Sequence, residues 1–390
     1  MSDAAKKTRE ALSVAGFLLP AWRGLDRRAT INNQREGDRW QFGVEHLLQP
    51  GRWRRSWRLA QPTFPSSAAN PFPLSLVGSA FARQATPSSR LESPAPPRWC
   101  QVARKSPPIQ PEAVYQAASL TKPVTAFVAL NLVREGRLDL QAPVSRYLPD
   151  GYKHRQHPFN PQKAALVDLV PASTLAQIPV ATLLNHSSGL PNWTSGKLVP
   201  AFEPGTRWQY SGEGYVLLQT VISAVTGEAY ETCVSKSVFQ PIGMRHSALH
   251  LTDNIRERLV NGSSRSQLVF SEANAAASLY TTAEDYAKLL SALLADTALL
   301  ELTLAKPIAV DPALGLTWGY GWGIETTNHD AYLWHWGNNP GYRAFAMVSL
   351  SSRNGFVLFT NSADGMPLAA PLAQATIPAE HGVFRFSMLG

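Results

Sequence analysis

The sequence predicts an α/β chain of the α+β type: an antiparallel sheet flanked by helices, with an all-helical subdomain inserted. Three observations carry this. Short aromatic and β-branched runs with Gly or Asn turns crowd the C-terminal part ("TWGYGWGIET", "AYLWHWG", "RAFAMVSL", "GFVLFTN"), the pattern of an antiparallel meander. Two further strand-like runs lie before residue 105: "FPLSLVGSAF" (Phe72–Phe81) and "RWCQVAR" (Arg98–Arg104), joined by a Pro/Ser-rich loop. Helical spacing dominates between the two sets, so strands from both ends build one sheet and the middle is the insertion.

The elements follow in chain order. The start, "KKTREALSVAGFLLPAW", has basic residues and then a short apolar run. Asp3 and Glu10 sit in or beside the charged part and no small-x-small site follows clearly, so an amphipathic helix explains the start about as well as a signal peptide does. The expected location is cytoplasmic; periplasmic or secreted is the alternative. Residues 1–60 hold 12 Lys and Arg against 6 Asp and Glu, most of the chain's net charge of +8. The rest is nearly neutral, which argues against a nucleic-acid binder. "GRWRRSWRL" (Gly51–Leu59) reads as Trp residues lying on the body with Arg residues in water. Residues 1–68 are therefore set apart as a basic extension of unassigned role. No apolar run nears the ~20 residues of a membrane-spanning helix, so stable membrane insertion is not expected.

From Ser119 onward Val124, Phe127, Val128, Leu130 and Leu132 recur near helical spacing, and Gly136 is the expected stop. "EGYVLLQTVISAVTG" (Glu213–Gly227) and "TAEDYAKLLSALLAD" (Thr282–Asp296) are further helices, the second with a Thr cap and acids in its first turn. The helical region spans about 140–300. "HRQH" (His154–His157) reads as loop, and "GYGWG" (Gly319–Gly323) as strand. With 44% hydrophobic and 16% charged residues the composition is globular. The two cysteines, Cys100 and Cys233, allow at most one disulfide and make no metal spacing. No metal or cofactor is expected.

Three motifs carry chemistry. Ser119 and Lys122 stand three residues apart at the start of an apolar helix, and only Lys122 among the lysines has a serine at that spacing. Residues so spaced share a helix face, and burial lowers a lysine pKa, so the amine can take the hydroxyl proton. Tyr210-Ser211-Gly212 precedes the second long helix, and His335-Trp336-Gly337 lies in a strand-like run. Each motif occurs once, in this order and on these element types.

Together these residues resemble the serine β-lactamase and penicillin-binding-protein-like superfamily, in the branch of class C β-lactamases, family VIII esterases and D-aminopeptidases. "LLNHSSGLP" (Leu183–Pro191), "PIGM" (Pro241–Met244) and "HWGNNPGY" (His335–Tyr342) extend the likeness, which covers roughly residues 70–365. The resemblance implies a β-lactamase/transpeptidase-like domain over residues 69–390 and a serine hydrolase working through an acyl-enzyme. It implies Ser119 as nucleophile and Lys122 with Tyr210 as the acid/base pair, the tyrosine able to activate water if Lys122 depresses its pKa. It further implies the N–H groups of Ser119 and Asn338 as oxyanion hole, His335 as a pocket wall, and Gly337 as a point of close approach. Gly212 stands where the family commonly has Asn, and His335 where it often has Lys. Both departures favour a small ester or amide over a β-lactam. The alternatives are a D-peptidase, DD-carboxypeptidase or β-lactamase, or a non-catalytic ligand-binding relative. The partner is then a small ester, amide or D-amino-acid-containing substrate; oligomeric state is not specified.

Overall fold

The computed structural model describes residues 109–156, 159 and 166–389 in full, and the backbone of strands 13–19, 29–36, 39–46 and 98–103. Phe72–Phe81, Gly51–Leu59 and His157 lie outside the described residues.

The strands are β1 (Ser13–Leu19), β2 (Ala29–Glu36), β3 (Arg39–His46), β4 (Arg98–Ala103), β5 (Tyr115–Ala118), β6 (Tyr152–Arg155), β7 (Val167–Val170) and β8 (Leu279–Thr281). The meander follows as β9 (Ile308–Asp311), β10 (Leu316–Trp318), β11 (Gly323–Thr326), β12 (Ala331–Asn339), β13 (Tyr342–Ser349) and β14 (Gly355–Thr360). Eight strands form one antiparallel sheet in the order β4-β1-β14-β13-β12-β11-β10-β9. Strands from both ends do share the sheet. β1 lies in the stretch whose sequence fits an amphipathic helix about as well as a signal peptide. An apolar run of that length suits either state, and backbone pairing on both sides, to β14 and β4, decides for the strand. Part of the N-terminal stretch set apart as an extension thus contributes a strand to the main sheet. Of "GYGWG", residues 319–322 form the turn between β10 and β11, and Gly323 begins β11.

The helices are α1 (Thr121–Arg134), α2 (Ala172–Leu175), α3 (Val180–Leu184), α4 (Gly212–Thr226), α5 (Tyr230–Val234), α6 (Gln240–Ile242) and α7 (Asp253–Arg256). After β8 come α8 (Ala283–Ala295) and α9 (Thr297–Leu304), and α10 (Ala369–Thr376) follows the sheet. The caps match the sequence signals. Ser211 Oγ accepts from Gly214 N, Thr282 Oγ1 accepts from Asp285 N, and α4 ends at Gly227 with φ +71°. Among the described residues, the strands of the inserted region are the β6–β7 hairpin and β8, which pairs with β5; its helices are joined by long loops.

Both faces of the sheet are covered, so its central strands are apolar throughout instead of alternating. In β13, Ala344, Ala346 and Val348 join Leu333, Val357 and Phe359 in the core shared with α1, α4 and α8. Phe345 and Met347 face the other way, with Trp334, Trp336 and Phe356 under Ala369 and Ala373 of α10. β5 and the start of α1 lie on the first face, against β12 and β13. The motifs meet there.

Candidate active site

β5 ends at Ala118, whose φ of +50° is left-handed and uncommon for a residue with a Cβ. The neighbours hold it there: Thr121 Oγ1 donates to the Ala118 carbonyl at 2.6 Å and accepts from Leu279 N at 2.9 Å. This turn sets Ser119, half-buried, just before α1. Lys122, the second residue of α1, is fully buried. Its Nζ lies 3.1 Å from Ser119 Oγ and donates to the Ala276 carbonyl at 2.9 Å. Burial holds its pKa well below the usual lysine value, which favours the neutral amine. A neutral amine has one lone pair, and here the hydroxyl of Ser119 is within reach of it.

Tyr210 arrives from the segment before α4, and Lys122 Nζ is 4.7 Å from its ring centroid. Burial pushes its pKa up; proximity to Ser119 opposes this only in part. The sequence expectation of a tyrosine depressed by Lys122 is therefore corrected: burial raises its pKa, and the group that opposes this is Ser119. The Tyr210 hydroxyl is buried without a hydrogen bond of full geometry, although Ser119 is near enough to act on its pKa. The hydroxyl is near the serine but not hydrogen-bonded to it. His186 lies against the tyrosine, ring centroids 4.4 Å apart. Its Nδ1 accepts from Ser211 N at 3.1 Å, so the neutral ring carries its proton on Nε2. Burial, and then Lys122 and His335, keep it uncharged.

The third element is β12. β11 pairs only with Ala331–Trp334 of it, so from His335 onward that edge of β12 runs past its neighbour. His335 is fully buried, and Nδ1–H donates to the Trp336 carbonyl at 2.8 Å. Burial and then Lys122 push its pKa down to about 3, so the ring is neutral and Nε2 is a bare acceptor. Its ring centroid is 6.3 Å from that of Tyr210. At Gly337 a Cβ would come within 2.3 Å of the Ala117 carbonyl oxygen, so only glycine lets β5 press onto the sheet here. Asn338 is exposed and lies near the end of β12, paired with Arg343 of β13. Gly212 opens α4, and Trp193 fills the space a side chain there would need.

The structure thus brings Ser119, Lys122 and Tyr210 together, sets His335 behind the tyrosine, and lays Gly337 against the strand that carries the serine. Sequence reading missed the groups that hold them. Gln219 of α4 donates to the Ala273 carbonyl at 3.1 Å and accepts from Ala275 N at 2.8 Å, pinning the loop that presents Ala276 to Lys122. Asn339 Nδ2 donates to Gln116 Oε1 at 2.9 Å, tying β12 to β5. A lone Gln in an apolar helix was a signal for the first; a backbone carbonyl leaves none. "HRQH" also differs from its loop reading. His154 is in β6, fully buried, with Asp168 Oδ1 2.7 Å from Nδ1 and Glu213 Oε2 3.3 Å from Nε2. Cys233 is a free, buried thiol.

Comparison with known proteins bears on the fold and family. The family profile described as Beta-lactamase matches residues 98–379. Esterase EstB of Burkholderia gladioli is 26% identical over 344 residues, 69% of this chain and 83% of the esterase. Penicillin-binding protein 4* of Bacillus subtilis is 28% identical over 166 residues, 37% of this chain but only 32% of that protein. Among solved structures, the D-amino acid amidase of Ochrobactrum anthropi SV3 matches with a TM-score of 0.55 and 27% identity, over 69% of this chain and 85% of the amidase. A class C beta-lactamase gives a TM-score of 0.57 at 18% identity, over 73% of this chain and 89% of the enzyme, a likeness of fold. With its fold, its order of elements and a profile match over most of its length, the chain belongs to the beta-lactamase family of serine hydrolases.

Proposed function

We propose that the protein hydrolyses a small ester or amide through an acyl-enzyme on Ser119, with Lys122 as base and Tyr210 as proton donor. One observation carries the reading: a fully buried lysine with a lowered pKa stands 3.1 Å from the hydroxyl of Ser119. Nζ takes the Oγ proton as Oγ attacks the substrate carbonyl carbon. The N–H groups of Ser119 and Asn338 stabilise the oxyanion, at the edge where β12 outruns β11. Tyr210, kept protonated by burial, passes its proton to the leaving alcohol or amine and regains one from Lys122. Water then attacks the acyl-Ser119 carbonyl, gives its proton back through the same pair, and the free acid departs. His335 and Gly212 border the substrate space without adding charge to it. The esterase relative supports an ester. The amidase likeness favours a D-amino acid amide as second substrate class.

Intact-mass spectrometry during turnover of p-nitrophenyl butyrate tests this. Wild type should release nitrophenol and carry a transient acyl mass that Ser119→Ala lacks. Absence of any adduct from this ester, from D-phenylalanine amide and from a fluorophosphonate would overturn the reading.

A further inference from the structure

We infer that Trp193 is a specificity-determining residue of this site, an aromatic wall that selects substrates with a flat, apolar acyl group; the inference rests on the hydrolase reading above. It starts from Gly212. A Cβ there would meet two ring carbons of Trp193, each at 2.6 Å, and the Asn192 carbonyl oxygen at 2.6 Å. The indole therefore takes the volume that any side chain at position 212 would fill. Ser211 is extended, with φ −134° and ψ 116°, so positions 210 and 212 project to the same side. Tyr210 points from that side to Lys122 and Ser119. Trp193 and Tyr210 thus border one cleft from neighbouring positions.

The wall is rigid. The Asn192 carbonyl accepts from Gly212 N at 3.0 Å and Glu213 N at 3.1 Å. Thr194 N donates to Glu213 Oε1 at 3.1 Å, and Ser211 Oγ donates to the Pro191 carbonyl at 2.9 Å. These bonds bracket Trp193 on both sides in the chain. Phe159 packs edge-on against the indole, ring centroids 4.5 Å apart. Trp193 nonetheless stays only half-buried, so part of the ring is open to a ligand. An indole offers a broad apolar face and little hydrogen bonding, which suits a phenyl or similar acyl group and not a polar amide.

The test compares two esters with one leaving group, p-nitrophenyl phenylacetate and p-nitrophenyl acetate, on wild type, Trp193→Leu and Trp193→Phe, with thermal unfolding as a check on folding. For Trp193→Leu, kcat/KM for the phenylacetate should fall about tenfold, the size of one lost contact in an apolar specificity pocket, while the acetate changes less than about twofold. Trp193→Phe should keep most of the preference. Equal losses on both esters in a folded variant, or no loss on either, overturn the inference and leave the hydrolase reading standing. If wild type turns over neither ester and takes no fluorophosphonate label, the hydrolase reading fails and the inference falls with it.

Discussion

Lys122 does its work as a neutral amine, and burial alone puts it in that state. Activity should therefore need the deprotonated form and be lost as pH falls through the lysine's folded pKa. The kcat/KM profile of ester hydrolysis is expected to show that limb well below the ordinary lysine value near 10.5. A limb at the ordinary value would contradict the assignment. Lys122→Ala should lose about 10³-fold in kcat/KM, the scale of a general base, and Lys122→Arg should not recover it because a guanidinium stays protonated. Tyr210 makes a different case. Its hydroxyl is buried and lacks a hydrogen bond of full geometry, so Tyr210→Phe removes a desolvated polar group. Differential scanning calorimetry should find the variant as stable as wild type or up to about 1 kcal/mol more so. Its kcat should still fall about 10²-fold. A joint loss of stability and activity would mean that the hydroxyl serves the fold and not the reaction.

The site depends on two backbone elements touching at one point. β5 carries the strained Ala118 turn that presents Ser119, and it rests on β12 at Gly337. The contact is backbone oxygen against Cα, so no side-chain rotation relieves a larger residue. Gly337→Ala should lower the unfolding free energy by about 1–3 kcal/mol and push the serine turn out of line with Lys122. Acylation by a fluorophosphonate should slow by at least about tenfold, whereas Gly136→Ala, which strains a φ of +69° but meets nothing within 4 Å, should leave labelling intact. Equal labelling rates for wild type and Gly337→Ala would remove the glycine from any part in placing the serine. The helices near the site were readable because their caps and apolar spacing are local: α1, α4 and α8 begin and end within a residue or two of their signals. The β6–β7 hairpin was not, because burial of its His154 depends on Glu213, some sixty residues further on.

At the scale of the whole chain, two buried histidines join distant segments. His154 bridges the β6–β7 hairpin to α4, and His381 Nδ1 lies 2.7 Å from Glu325 Oε2, fastening the C-terminal segment to β11. Burial opposes the charge on each, but their carboxylate partners outweigh it and hold both pKa values above the usual 6.5. A raised folded pKa stabilises the protein fully below the unfolded value, and the gain is lost as pH rises through the folded value. Asp168 has the opposite sign, with a pKa held below the usual value by His154 and Gln156 against its burial, so its contribution is lost on acidification. The unfolding temperature of Ser119→Ala should thus decline between pH 6 and pH 9. Adding His154→Gln and His381→Gln should flatten the decline; an unchanged slope would sink the account.

The amino-acid order by itself determined the three motifs, their sequence along the chain, the long helices and the sheet built from both ends. These rest on hydroxyl, amine and phenol chemistry and on periodicities that are local to each element. Tertiary structure decided the rest. That the apolar run 13–19 is a strand follows from pairing with β14, some 340 residues away. That Lys122 is neutral while Tyr210 keeps its proton follows from burial, which no spacing encodes. That Gly212 leaves room for an indole, and not simply an empty place, follows from a loop folding back on the start of α4. Chemical identity is written residue by residue, whereas charge state and shape arise only where distant segments exclude water from one another.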